Sequence, residues 1–389
     1  MDPTTILLFA VAALSSLFMA WVIGAGSSGA TPFAPAVGAN AIGTMRAAFL
    51  VGLLGFAGAV TQGASVSEAV GRDLVVGISL PATSVIVVLL IGAGLMMIGI
   101  VTGYPIATAF TVTGAVIGVG FALGGEPAWE KYAEIGAMWV LTPFVGGGLA
   151  YAIASVLPRP DVPERVSVAL LAGVVGAVLA NLEFVFLDGV GGTLVAAGSP
   201  VLPLDDAGAA ITISLLAGAV AALLVWWDIG RDRTGGLRRF LLALGGLVAF
   251  SAGASQVGLA VGPLLPLLDD VSIVSPLAVL LGGGFGILVG SWTGAPRMIK
   301  AISREYASLG PRRSIATLVP SFLIAQTAVL LGVPVSFNEI IVSAVIGAGL
   351  AVGGGAGVSP RKLGLTVLAW IGSFVLAFVL GYGSMFVVG

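Results

Sequence analysis

The 389-residue chain contains no histidine and no cysteine. The first absence removes Ser-His-Asp triads, His-ligated zinc and the usual neutral-pH proton shuttle. The second removes disulfides, thiolate metal sites and cysteine nucleophiles. Charge is scarce as well. Asp, Glu, Lys and Arg make up 9% of the residues, against about 25% in soluble domains. So little polar surface cannot cover the core of a soluble protein this long. Lysine occurs only at Lys131, Lys300 and Lys362, and the net charge is −2. Nothing in that balance suits nucleic-acid binding, which needs a strongly basic face.

What abounds is apolar: 58% of the residues are hydrophobic. One polytopic, all-α membrane domain is the reading that fits. The start, Met1-Asp2-Pro3, lacks the positive segment of a signal peptide. The run 6–24 is long enough for the roughly 20 residues a bilayer crossing needs, and reads as the first transmembrane helix. Charges and Pro/Gly clusters delimit spans at 4–25, 46–62, 83–102, 135–157, 167–187, 207–227, 240–252, 273–294, 314–331 and 364–387. Four apolar stretches are too interrupted for simple spans: 26–43, 104–125, 333–355 and the shorter 253–268. With these short broken segments the expected total is about ten to twelve spans. Irregular backbone at membrane depth persists only where protein buries it or it lines a wet cavity. A site is therefore expected among these four stretches. The plainer explanation is that Gly and Pro are common in membrane helices and permit close packing. Four stretches forming two pairs speak against it.

The pairing is a repeat. Residues 113–125, Thr-Gly-Ala-Val-Ile-Gly-Val-Gly-Phe-Ala-Leu-Gly-Gly, match 342–354, Val-Ser-Ala-Val-Ile-Gly-Ala-Gly-Leu-Ala-Val-Gly-Gly, at most positions. Each copy follows a Gly-x-Pro, Gly103-Tyr104-Pro105 and Gly332-Val333-Pro334. Ser27-Ser28 align with Ser255-Gln256, the segment 67–72 with 299–304, and Trp139 with Trp370. The chain divides into a first repeat with its leading helix (1–158), intervening helices with a basic loop (159–247) and a second repeat (248–389). Two related halves broken by Gly and Pro point to a transporter whose site lies between them. The arginine-rich loops 229–239 and 296–313 are candidate cytoplasmic segments, and inverted repeats would put the segment around Arg72 on the other side.

In an interrupted helix, free backbone N–H groups and the helix dipole make an anion site. Hydroxyls beside the break add donors without fixed charge, a set that holds an oxyanion and still releases it. The breaks supply Ser27, Ser28 and Thr31; Thr108, Thr111 and Thr113; Ser251, Ser255 and Gln256; Ser336, Asn338 and Ser343. A buried Ser or Thr ordinarily bonds the carbonyl four residues back, so the clustering carries the case. Intramembrane carboxylates are functional candidates by default. Glu339, inside the fourth break, suits proton or cation coupling or pairing with an arginine; a paired structural glutamate is the competing role. Glu183, a turn from Asp188, reads as interfacial, and Arg46 as a headgroup anchor.

These features resemble the inorganic phosphate transporter (PiT) family, built from two copies of Gly-Ala/Ser-Asn-Asp-x-Ala-Asn, each followed later by Pro-Val-Ser-Thr-Thr. The corresponding stretches here are Ala25-Gly26-Ser27-Ser28-Gly29-Ala30-Thr31 and Gly253-Ala254-Ser255-Gln256-Val257-Gly258-Leu259. The later elements are Pro105-Ile106-Ala107-Thr108-Ala109 and Pro334-Val335-Ser336-Phe337-Asn338. The framework is kept over both repeats, while the Asn-Asp pairs have become Ser, Ser and Gln. The resemblance implies a secondary active transporter in the cell membrane, moving inorganic phosphate by alternating access. Its substrate ligands would be Ser27, Ser28, Thr31, Thr108, Ser255, Gln256, Ser336 and Asn338, with Glu339 for coupling. It implies no cofactor and no resident metal, leaves Na+ or H+ open as the coupling cation, and suggests a homodimer. Loss of the carboxylates turns the expectation from sodium coupling and toward sulfate or another oxyanion as the alternative. A non-transporting sensor or scaffold and an anion channel are further alternatives. A membrane enzyme is not expected, because no carboxylate cluster, His or Cys is available at membrane depth.

Overall fold

The computed structural model describes residues 3–184, 187, 192–269, 271, 274–306, 309–353 and 358–388; Asp188, Asp270 and Gly354 lie outside the described residues. The helices run in the order α1 (Pro3–Gly26), α2 (Ala34–Gly38), α3 (Thr44–Gln62), α4 (Ala64–Arg72), α5 (Ala82–Thr102), α6 (Thr108–Ala122), α7 (Trp129–Val156) and α8 (Glu164–Leu179). They continue with α9 (Leu194–Gly198), α10 (Asp206–Arg231), α11 (Arg233–Val261), α12 (Pro276–Thr293), α13 (Ala295–Glu305), α14 (Pro311–Leu330), α15 (Phe337–Gly353) and α16 (Pro360–Val388). A short antiparallel pair joins Val75–Val76 to Glu126–Pro127. Helix dominates because lipid offers no partner for backbone N–H and C=O groups, which must then be satisfied within the segment.

Among the described residues, nine helices are long and apolar enough to cross a membrane: α1, α3, α5, α7, α10, α11 with its 3-10 extension, α12, α14 and α16. Two shorter apolar helices, α6 and α15, bring these to eleven (9 + 2), within the expected ten to twelve. Of the α14 span 78% is buried, against 11% of α10. α14 is therefore a central post, and α10 turns its Leu215, Leu216, Leu223 and Leu224 to lipid.

Two expectations change. The stretch 253–268 is no break: α11 runs unbroken from Arg233 to Val261, and a 3-10 helix, Gly262–Leu268, follows. The separate span at 240–252 is thus part of one long helix. Its glycines serve packing. A Cβ at Gly253 would lie 1.8 Å from the Gly55 carbonyl oxygen, so two backbones touch where helix-breaking was expected. The span expected at 167–187 begins as α8, a helix of 16 residues ending at Leu179, comparable in length with α6 and α15; residues 185 and 186 of that span lie outside the described residues.

Contacts between the two ends of the chain come in matching pairs. α1 packs on α12 and α11 on α3; α6 packs on α16 and α15 on α7. The closest approaches match too. A Cβ at Gly24 would meet the Ile287 carbonyl oxygen at 2.1 Å, the counterpart of Gly253 on Gly55. One at Gly118 would meet the Phe378 oxygen at 2.2 Å, and one at Gly347 the Gly147 oxygen at 2.0 Å. The duplicated Ala-Val-Ile-Gly motif therefore places a bare backbone against a neighbouring helix. Gly253→Val is expected to lower stability by at least the roughly 1–3 kcal/mol of an overpacked core. Gly136→Ala, with nothing within 4 Å of the new Cβ, is expected to leave it unchanged. Thermal unfolding of both variants in detergent checks this.

The segments 67–72 and 299–304 fall in two short helices, α4 and α13. Arg72 of α4 bonds both carboxylate oxygens of Asp269 at 3.1 Å. That hydrogen bonding, with the arginine's charge, holds the Asp269 carboxyl below its ordinary range.

Candidate functional site

The two Gly-x-Pro turns end helices and begin new ones. Gly103 stops α5 at φ +79° and Gly332 follows α14 at φ +59°, a left-handed backbone that glycine adopts without steric cost. Pro105 and Pro334 bar helix continuation. The chain then re-enters helix at Thr108 and Phe337; the irregular peptide before Phe337 is buried, and that before Thr108 is buried at Pro105 and Ala107 and half-buried at Tyr104 and Ile106.

Both breaks converge on the end of α1 and the middle of α11. Ser27 Oγ donates to Gln256 Oε1 at 3.1 Å, and Gln256 Nε2 donates to the Val335 carbonyl at 2.6 Å. Asn338 Nδ2 reaches the Ile106 carbonyl at 2.7 Å and the Gly26 carbonyl at 3.2 Å. Ser27 and Gln256 are thus bonded directly, Asn338 reaches the carbonyl of the residue before Ser27, and Ser28, Ser255, Ser336 and Thr108 sit within two residues of the bonded groups. All seven, and Thr31, have 0% exposure, and Glu339 has 1%. The Gly24 and Gly253 contacts align α1 with α11 so that Ser27 corresponds to Gln256, one residue off the sequence pairing of Ser27-Ser28 with Ser255-Gln256. Those two counterparts bond to each other where the halves meet.

The hydroxyls divide by use. Thr31, Thr111 and Ser251 donate to carbonyls four residues back, the ordinary role, and Ser251 Oγ also accepts from Gln326 Nε2 at 2.7 Å. Ser28 Oγ, Thr108 Oγ1, Thr113 Oγ1, Ser255 Oγ, Ser336 Oγ, Asn338 Oδ1 and Glu339 Oε2 are buried without a protein partner among the described residues. An orphaned buried polar atom costs about 1–3 kcal/mol. Seven would cost on the order of 10 kcal/mol, comparable with a whole domain's stability. A cluster rich in hydroxyl donors, with a single carboxylate and no basic side chain among the described residues, is chemically suited to a polar, anionic guest. Near it, Thr108 and Glu339 lie in the first turns of α6 and α15.

Two residues that hold the breaks in place were visible in the sequence only as a matched pair. Trp139 Nε1 donates to the Pro334 carbonyl at 2.9 Å, and Trp370 Nε1 to the Pro105 carbonyl at 2.7 Å. Each half thereby clamps the break of the other. Trp139 also stacks on Phe110, ring centroids 3.8 Å apart. Trp370→Phe keeps the bulk and loses the bond, and is expected to cost about 1–3 kcal/mol by leaving a buried carbonyl unpaired. The thermal midpoint of the purified variant reads it.

The model of the phosphate transporter family matches residues 12–381. The chain belongs to the phosphate transporter family. It is a multi-pass membrane protein of that family. A protein of Pyrococcus abyssi that carries the name of a phosphate permease is 27% identical over 373 residues, 91% of this chain and 90% of its own length. Inorganic phosphate transporter 2-1 of Arabidopsis thaliana, chloroplastic, is 25% identical over 397 residues, 87% of this chain and 65% of its own. The solved structure of a sodium-dependent phosphate transporter superposes with a TM-score of 0.77, covering 98% of this chain and all of that one. Sequence identity there is 21%, so the likeness is one of fold.

Proposed function

We propose that this family member is a secondary active transporter rather than an enzyme, carrying inorganic phosphate across the membrane by alternating access. The observation that carries the proposal is the cluster of sealed, unpartnered hydroxyls where Ser27, Gln256, Val335 and Asn338 join the two breaks. Ser28, Ser255, Ser336 and Thr108 supply donors to the anion. Gln256 and Asn338 hold the surrounding backbone, and Thr31 fixes the turn after α1. The matched contacts of α1–α12 with α11–α3, and of α6–α16 with α15–α7, support two inverted repeats, 1–158 and 248–389, flanking the helices of 159–247. Rocking one against the other would open the site to each side in turn.

Glu339 is the coupling residue in this reading, with H+ or Na+ as its ion and no further cofactor. A sulfate-type oxyanion is the second reading. One observation favours it: Ser and Gln stand where the resembling family has Asn-Asp pairs. A carboxylate accepts a proton from protonated phosphate and repels fully ionised sulfate, so its loss favours sulfate. Uptake of labelled phosphate and labelled sulfate into proteoliposomes, with and without sodium and pH gradients, tests both. Saturable uptake of phosphate supports the first, and of sulfate alone the second. No saturable uptake of either overturns the transporter assignment.

A further inference from the structure

Away from the hydroxyl cluster, the connection between α7 and α8 meets the first turns of α11 and α14. Two adjoining cavities lie there, of about 580 and 520 Å3. Arg159, Arg165, Arg233, Arg312 and Arg313 line them, with Glu164 as the one carboxylate among the described residues. Five arginines in a chain with 16 basic residues are a strong concentration. Positive-inside bias accounts for arginines in loops. It does not account for a carboxylate that positions them around cavities.

Glu164 does so. It is nine-tenths buried, and its Oε2 accepts from Arg233 Nε at 2.7 Å while its Oε1 accepts from Arg312 Nε. A guanidinium has five N–H donors. The bonds to Glu164 take Nε–H and one terminal nitrogen of Arg233, and Nε–H of Arg312. Both side chains are thus held in place with donors to spare, and both line both cavities. Such a fork matches the oxygens of a phosphate group.

The depth of the basin is marked as well. The Arg165 guanidinium lies 3.5 Å from the centre of the Trp226 ring, and Arg231 stacks on Trp227 at the same distance. Tryptophans near a span's end mark the headgroup level of a bilayer. Below Arg165, Val166, Leu170 and Val174 form an exposed apolar row at four-residue spacing along α8, a track for an acyl chain.

We propose that this basin is a second anion site, separate from the hydroxyl cluster, that binds a phosphate group: the headgroup of an anionic phospholipid or free inorganic phosphate. The test uses the purified full chain. Native mass spectrometry reads retained phosphatidylglycerol against phosphatidylcholine, and equilibrium dialysis reads labelled phosphate. Arg312→Gln strips one arm of the fork but leaves Glu164 half-paired. Arg159→Gln with Arg313→Gln is the second variant, which keeps Glu164 and both of its bonded arginines. Gln256→Leu controls for the hydroxyl cluster. Losing charged hydrogen-bond donors is expected to weaken binding at least about tenfold. Retention of phosphatidylglycerol that falls by that factor in the arginine variants, and persists in Gln256→Leu, supports the site with lipid as its source. A dialysed phosphate component with the same pattern supports it with the free anion as source. Equal retention of both lipids, with no phosphate component sensitive to the arginines, overturns the proposal.

Discussion

Gln256→Leu is expected to reduce anion uptake by about 100-fold or more. The side chain is nearly the size of leucine, so packing is kept and two hydrogen bonds are lost. Ser27 Oγ loses its acceptor and the Val335 carbonyl its donor. Both lie at 0% exposure, where each unmade bond costs about 1–3 kcal/mol. The bond to Val335 fixes the peptide that leads into Ser336 and α15, so the damage falls on site geometry. A loss of about 2.7 kcal/mol of transition-state stabilisation is the 100-fold stated. Gln256→Glu separates the two bonds: an ionised carboxylate still accepts from Ser27 and cannot donate to Val335. Initial rates of labelled phosphate or sulfate uptake, on variants first shown to be folded by size exclusion, decide it. Wild-type rates in Gln256→Leu would sink the assigned role.

Glu339→Gln is expected to abolish gradient-driven accumulation, by more than about tenfold, while leaving exchange of labelled for unlabelled anion intact. Glu339 sits in the first turn of α15 with 1% exposure, and its Oε2 has no protein partner among the described residues. An intramembrane carboxylate is costly and is kept where it handles ions. Glutamine preserves shape and hydrogen bonding but neither takes up a proton nor offers charge to a cation. Coupling should therefore fail where binding survives. Accumulation ratios under imposed pH and sodium gradients, set beside counterflow rates, make the distinction. Unchanged gradient dependence would assign Glu339 a structural role only.

The two breaks at Gly103-Tyr104-Pro105 and Gly332-Val333-Pro334 were legible because a left-handed glycine followed by proline has few other uses. The stretch 253–268 was not. Gly253 and Gly258 lack side chains so that α11 can touch α3 and α4, at Gly55 and Val66, and composition does not separate a glycine that breaks a helix from one that lets two helices meet. The polar cluster was legible as a set of residue types, since hydroxyls and amides are conspicuous in an apolar chain. Its wiring was not. The bonds from Ser27 to Gln256 and from Asn338 to Gly26 join residues 229 and 312 apart, and only the packing of α1 on α12 and α11 on α3 sets their register. In the sequence the basic loops carry only an orientation signal; their gathering around Glu164 depends on three helix starts meeting in space.

The paired tryptophan bonds also impose a timetable. The Pro334 carbonyl binds an indole 195 residues upstream, which is already in place when the proline is made. The Pro105 carbonyl waits for an indole 265 residues downstream. Chains are assembled from the N-terminal side as they emerge, so the second break closes onto a finished half while the first stays unclamped until α16 is synthesised. The last helix acts as a keystone. A nascent chain halted before Trp370 carries every proposed site residue but leaves the first break unclamped.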